Sequence, residues 1–451
     1  MALSGLEIYK LLPKTNCKEC GQPTCLAFAM KLATKAAELS ACPYVSEESK
    51  MALESAGAPP IRLVAVGAGQ KKLEVGNETV MYRHDKTFFH PPGLVIRVKD
   101  TQSADEIAAT VQTVNDYGVE RVGLQLTLNG IAIENTSGSA EAFAKCAELV
   151  KSKTDQPMVL ISAEPAAIEA ALNAAGATRP LVYAATKENW EAMAAAAKKH
   201  GCPLAIRDGD GLAGLANLAE QVTKAGVTDV VLDPDGKSLT DSLALMTQVR
   251  RMALRKNFRL LGYPMITFPS RGASSPEEEV IAAAQHITKY GGIVVLDNFD
   301  PSQIYPLMTL RQNIYTDPQK PIQVKPEIYP FGEPNEKSPL LITTNFSLTY
   351  FTVAGEVEAS GVPTWLLIAD SEGMSVLTAW AAGKFDAEKI AKAVKTSGIA
   401  DKIGHRKLVL PGYVAGMSGE VEEELPGWKI AVGPREAVDI SPYLKTVWKP
   451  D

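Results

Sequence analysis

Leu181-Val182-Tyr183-Ala184, then a helical stretch from Asn189 to His200, then Leu204-Ala205-Ile206-Arg207, is the passage on which the fold turns. Both short runs are apolar almost throughout, as expected of a strand covered on both faces. The stretch between them is long enough for a helix and rich in alanine. Strand, helix, strand in that order makes a parallel unit. The same unit recurs in both directions. Earlier runs are Leu94-Val95-Ile96-Arg97-Val98, Val122-Gly123-Leu124-Gln125-Leu126 and Met158-Val159-Leu160-Ile161. Later ones are Val230-Val231-Leu232-Asp233, Met265-Ile266-Thr267-Phe268 and Ile293-Val294-Val295-Leu296-Asp297. Eight such runs, each followed by a helical segment, close most simply into a (β/α)8 TIM barrel, with an open doubly wound sheet as the rival. Ahead of the first run, Lys72 to Phe89 reads as a hairpin placed to plug the barrel's N-terminal end.

The 451 residues allow two to four domains. Hydrophobic residues make up 46% and charged residues 22%, as in an ordinary globular protein. A net charge of −6 argues against nucleic acid as a partner. No run of eighteen apolar residues suggests a membrane span, and the first residues lack the pattern of a signal peptide. The expectation is a cytoplasmic protein with no membrane partner. In that compartment, closely spaced cysteines point to metal or redox chemistry more than to disulfides.

Composition divides the chain further. Residues 1–57 hold four of the six cysteines and end at the breaker-rich joint Ser55-Ala56-Gly57-Ala58-Pro59-Pro60. Residues 58–314 are the barrel. Residues 315–339, with Pro318, Pro321, Pro326, Pro330, Pro334 and Pro339, read as an extended linker or arm. In 340–451 the alternation resumes on a smaller scale, giving a compact Rossmann-like α/β domain with a loop at the C-end of each strand, where such sheets bind ligands.

The cysteines are spaced Cys17-x2-Cys20-x4-Cys25-x16-Cys42, with Pro43 after the last. Cys17, Cys20 and Cys25 share one loop between expected helices Leu6 to Leu12 and Leu26 to Leu39, and the second helix can deliver Cys42. Four sulfurs without histidine suit a [4Fe–4S] cluster or a structural zinc. Zinc motifs usually pair two knuckles, whereas three of these ligands come from one loop. The spacing therefore favours iron–sulfur, and a static zinc staple stays open as the alternative. Phe28 and Met30 would shield a cluster or serve as plain core.

The run Leu6-Glu7-Ile8-Tyr9-Lys10-Leu11-Leu12-Pro13-Lys14-Thr15-Asn16-Cys17-Lys18-Glu19-Cys20-Gly21-Gln22-Pro23-Thr24-Cys25 closely resembles the start of the large (gamma) subunits of the corrinoid iron–sulfur proteins of the anaerobic acetyl-CoA (Wood–Ljungdahl) pathway. The three-part layout is similar over essentially the whole chain. The resemblance implies a methyl carrier and not a stand-alone catalyst. Its cobamide, held by the C-terminal domain, would take a methyl group from methyltetrahydrofolate through a separate methyltransferase and deliver it to carbon monoxide dehydrogenase/acetyl-CoA synthase. It also implies a heterodimer with a small barrel-shaped subunit. A low-potential donor such as ferredoxin would feed the cluster, which would return oxidised cobalt(II) to cobalt(I).

Many corrinoid domains place a histidine below cobalt in an Asp-x-His-x-x-Gly loop. The five histidines here are His84, His90, His200, His286 and His405, and only His90-Pro91-Pro92-Gly93 has the right tail. Phe88 stands at the aspartate position, and the segment precedes the barrel. The expected corrinoid is therefore base-off and without a histidine ligand, which eases reduction of cobalt(II). A broad, apolar, amide-fringed ring wants small residues and rim hydroxyls. The candidates are Leu340, Thr343, Thr344, Asn345 and Phe346; Asp370, Ser371, Glu372, Gly373, Met374, Ser375 and Thr378; Gly412, Tyr413 and Ala415; and Val432 and Gly433. Asp370 and Ser371 could equally cap a helix and the glycines serve turns.

Barrel strands also end in polar residues, at Asn129, Arg207-Asp208, Asp233-Pro234-Asp235 and Asp297-Asn298. Pterin-binding barrels use such groups, so a folate-binding methyltransferase is one alternative; helix caps and turns are the plainer reading. A protein whose cluster only passes electrons is another, but it leaves the C-terminal domain without a task.

Overall fold

The computed structural model describes residues 5–34, 36–46, 49, 50, 53, 59–122, 124–317 and 322–450. The joint at 55–58 lies outside them. Two compact units emerge: 1–81, 89–116 and 128–307 in the first, and 82–88, 117–127 and 308–451 in the second.

In the first unit, eight parallel strands close into a barrel in sequence order from Gly93–Lys99 to Gly291–Leu296, and Ile293 pairs back onto Gly93. The strands are buried nearly throughout; Met158–Ile161, Leu181–Ala185 and Val230–Asp233 show no exposed position. That double burial is why they read as unbroken apolar runs.

One expected strand was misplaced. Val122 to Leu126 falls in an antiparallel hairpin of Gly118–Arg121 and Leu124–Thr127 within the second unit, and the second barrel strand is Gly130–Glu134. The hairpin's register leaves Leu124 and Gln125 exposed, whereas Gly130 to Ile133 are all buried. Only the latter satisfies a barrel.

The plug exists with shifted bounds: Val64–Val66 pairs antiparallel with Leu73–Val75, and the residues beyond Gly76 are irregular. Val64, Val66, Leu73 and Val75 share a core with Val95, Ala132, Val159 and Leu181 from the barrel interior. The fit leaves no room for a side chain at Gly93, where a Cβ would stand 2.3 Å from Leu73 Cδ2.

Near the N-terminus, Gly5–Leu11 and Cys25–Ala33 are the helices, the second shorter than expected. A 3₁₀ turn, Leu39–Ala41, then carries the chain to Cys42. Ile8, Leu12, Phe28, Ala29 and Val45 form their core. Fully burying a side chain such as Phe28 stabilises by roughly 2 kcal/mol. Met30 is largely exposed.

The second unit is built on a five-stranded sheet in the order Ile328–Phe331, Thr364–Ala369, Leu340–Thr344, Lys407–Leu410, Lys429–Val432. The last four are parallel and the first is an antiparallel edge. The expected linker is thus partly sheet: besides that strand, Val324 donates to the Asn345 carbonyl at 2.9 Å. Proline is tolerated there because an edge strand leaves one side of its backbone unpaired. The parallel strands run 2-1-3-4, so the order reverses between Leu340–Thr344 and Lys407–Leu410. Open sheets bind ligands beside such a reversal.

Candidate functional site

The cysteine loop is held by its own polar residues. Thr24 Oγ1 caps helix Cys25–Ala33 by accepting from Ala27 N–H at 3.1 Å. Asn16 Oδ1 accepts from Cys25 N–H at 2.8 Å, and Asn16 N–H donates to Cys25 Sγ at 3.4 Å. Across the loop, Tyr44 Oη donates to Glu19 Oε1 at 2.8 Å, tying the chain after Cys42 to the segment between Cys17 and Cys20. The Tyr44 pKa is raised by Glu19 foremost, and Cys17 and Cys42 lie close enough to add to the shift. Cys25 and Cys42 are buried, Cys20 is half-buried and Cys17 is exposed. Among the described residues, no three His, Cys, Asp or Glu side chains are grouped as ligands of one metal ion.

At the strand-order reversal in the second unit lies a cleft of about 360 Å³. Its floor is Leu341 to Thr343 and Val409 to Pro411, one wall is the start of helix Ser347–Ser360, and Pro434 to Ala437 close the far side. Most of the lining is apolar, and no described histidine belongs to it. The Thr343 and Thr344 hydroxyls are buried without a hydrogen-bond partner. Leaving such a group unpaired costs about 1–3 kcal/mol. In the lining, Leu348 and Tyr413 are exposed.

Of the candidates drawn from sequence, Thr343, Phe346, Ser375, Tyr413 and Gly433 line this cleft. Another group builds the loops behind it. Asn345 Oδ1 accepts from Ser371 N–H (3.0 Å), Ser371 Oγ (2.7 Å) and Gly373 N–H (2.9 Å), while its Nδ2 donates to Asp370 Oδ1 at 3.1 Å. Glu372, with a left-handed backbone, pairs with Lys384, and Met374 O accepts from Ser371 Oγ at 3.1 Å. Thr378 shares a hydroxyl contact of 3.0 Å with Ser375. Gly412 lets two loops meet, since a Cβ there would lie 2.6 Å from Gly433 O. Ala415 sits on the 3₁₀ segment Gly412–Met417, and Leu340 is enclosed in the hydrophobic core.

Sequence reasoning missed Thr349, Thr352, Val353, Pro434 and Ile440 in the lining. The available signal was helix Ser347–Ser360 itself, whose apolar residues Leu348, Phe351, Val353, Ala354 and Val357 follow no single stripe.

The polar ends of the barrel strands engage one another. Arg271 donates to Asp233 (2.9 and 3.1 Å), Asp235 (2.9 Å) and Tyr183 Oη (3.0 Å), and Tyr183 Oη donates to Asp233 at 2.6 Å. Burial is the largest single influence and opposes the Arg271 charge, but Asp233, Tyr183 and Asp235 together outweigh it and the guanidinium pKa is raised. Arg207 pairs with Asp235 at 2.9 Å. Asp297 bonds Arg97 and Ser270, although Arg97 Nε is left without a partner. Asn129 Oδ1 accepts from Leu94 N–H at 3.1 Å, and Asp208 Oδ1 from Asp210 N–H at 2.7 Å.

An Fe-S cluster family matches residues 12–44, and the family described as CO dehydrogenase/acetyl-CoA synthase delta subunit matches residues 63–444. The corrinoid/iron-sulfur protein large subunit of Moorella thermoacetica is 44% identical over 445 residues, 99% of each chain. The chain belongs to this family. Its archaeal members agree. The acetyl-CoA decarbonylase/synthase complex subunit gamma of Methanothermobacter thermautotrophicus is 35% identical, over 98% of this chain and 99% of the relative. That of Methanopyrus kandleri is 36% identical, over 98% and 97% respectively. The family match from residue 63 onward takes in the barrel and the cleft-bearing sheet together.

Proposed function

We propose that this chain is the large subunit of a corrinoid methyl carrier of the acetyl-CoA pathway, with the corrinoid seated at the cleft and an iron–sulfur cluster at the cysteine loop. The observation that carries the corrinoid seat is the buried, unpartnered Thr343 hydroxyl on the floor of a largely apolar cleft at the sheet's order reversal. Polar groups left unpaired inside an apolar wall suit a ring fringed with amides. Gly433 and Ser375 are small enough for close approach, and the exposed Leu348 and Tyr413 would cover ring edge. The four-sulfur donor set of Cys17, Cys20, Cys25 and Cys42 suits a [4Fe–4S] cluster, with Asn16 and Thr24 ordering the loop that bears three of them.

The corrinoid supplies a cobalt able to accept and release a methyl group, and the cluster supplies single electrons at low potential. The protein's own part is to hold the ring without a histidine, to keep water from the cleft with apolar walls, and to order the thiolates. The barrel is a scaffold in this reading, because Asp233, Asp235 and Asp297 at its strand ends are engaged by arginines and Asn129 and Asp208 by backbone N–H groups. The partners are a small subunit, the synthase, a methyltransferase working on methyltetrahydrofolate, and a ferredoxin-like donor, all in the cytoplasm. Among the described residues, no helix is long and apolar enough to cross a membrane.

Elemental analysis of anaerobically purified complex tests this directly. Iron and cobalt are both expected, with corrinoid bands over the broad cluster absorption. Zinc in place of iron, or no cobalt, would sink the proposal. Cys20→Ala should then spare methyl transfer from pre-reduced protein and abolish recovery after oxidation.

A further inference from the structure

The loop around the first cysteine adopts a backbone that ligation alone does not require. Lys14, Asn16 and Lys18 have φ of 60°, 50° and 67°, while Thr15 and Cys17 between them stay on the ordinary side. Three non-glycine residues in the left-handed region within five positions is rare, and such outliers tend to mark functional loops. Alternation of backbone hand turns successive N–H groups to one side and makes a concavity for anions, a feature of many iron–sulfur sites. Cys17 lies within this alternating segment.

One of these N–H groups already meets sulfur, since Asn16 donates to Cys25 Sγ at 3.4 Å. The Asn16 side chain returns the contact by accepting from Cys25 N–H at 2.8 Å. The two bonds lock the turn at residue 16 to the start of helix Cys25–Ala33. Asparagine is suited to both tasks, because it tolerates φ > 0 and carries a short acceptor.

We propose that Asn16 is a positioning residue for the iron–sulfur cluster. It fixes the left-handed turn that aims backbone N–H groups at cluster sulfur, and it fastens that turn to the Cys25 helix. Hydrogen bonds to sulfur favour the more negative, reduced cluster, so they raise its reduction potential. The same clamp slows loss of iron. The inference rests on the cluster assignment above.

The test uses full-length, anaerobically purified protein, with iron measured first. Wild-type protein without iron would end the cluster assignment before any variant is compared. Three variants then separate the two roles. Asn16→Ala loses the acceptor and resists the left-handed turn. Asn16→Gly keeps the turn and loses the acceptor. Asn16→Asp keeps an acceptor. In dithionite titrations followed by electron paramagnetic resonance, Asn16→Ala should shift the potential to more negative values, and Asn16→Gly should stay near wild type. Release of iron to a ferrous chelator should be roughly tenfold faster in Asn16→Ala and Asn16→Gly, the scale of a lost helix cap, and near wild type in Asn16→Asp. Failure of Asn16→Ala alone to take up iron would also support the role. An Asn16→Ala protein with unchanged potential and release, or equal failure of all three variants, would overturn it.

Discussion

The barrel and the C-terminal sheet both end their parallel strands in hydroxyl, amide and carboxylate side chains, yet the two edges differ in what those groups touch. At the barrel, Asp233, Asp235 and Asp297 are met by Arg271, Arg207 and Arg97, and the charges close on themselves. At the sheet, Thr343 and Thr344 reach no partner, and an apolar cleft opens beside them. A polar residue at a strand end marks a ligand site when the rest of the fold has left its hydrogen bonds unmade. The same residue types, matched by neighbours, mark a scaffold.

The comparison breaks most visibly at the cleft. Thr352→Trp would place an indole in the space assigned to the corrinoid, and cobalt content should fall by more than about tenfold while iron is retained. Retained cobalt would move the site elsewhere.

At the barrel, Arg271→Leu would strand the buried carboxylate of Asp233, which is 2% exposed, and should cost about 3–5 kcal/mol in denaturant unfolding. Cobalt content should not change. A stable variant that gained affinity for methyltetrahydrofolate would instead recast the mouth as a pterin site.

His286 sharpens the contrast, since both its ring nitrogens are buried and unpartnered within the barrel unit. Burial lowers its pKa from 6.5 to about 4. The unfolded chain then binds the extra proton first, so stability is full above pH 6.5 and falls as pH drops toward about 4, by about 3 kcal/mol in total. His286→Leu should remove that contribution, giving a flatter stability profile over the same window.

The smallest effect belongs to Thr343→Val. Replacing an unpaired buried hydroxyl by a methyl should stabilise cofactor-free protein by about 1 kcal/mol and weaken corrinoid binding. Destabilisation of the empty protein would show that the hydroxyl has a partner in the fold.

Much of the architecture was legible because it rests on burial. Seven of the eight barrel runs fell where strands form. The exception, Val122 to Leu126, carries enough apolar residues to pass as a strand, but Leu124 and Gln125 face outward in a hairpin. The loops after strands Leu340–Thr344 and Thr364–Ala369 were found in the right place, yet Asn345, Asp370 and Ser371 are joined to one another, and only some of their neighbours reach the cleft. Whether an asparagine faces a ligand or a serine depends on residues twenty-six positions away, which no local pattern encodes.

Sequence alone established the repeating strand–helix unit and the cysteine spacing, because an apolar run covered on both faces and a ligand loop are both written in neighbouring residues. Tertiary structure decided which strand-end groups were matched and which were left open, that Gly130–Glu134 takes the second barrel position, and that the proline-rich segment supplies a sheet edge. The reason is physical: a hydrogen bond or ion pair between distant residues exists only once the chain has brought them together.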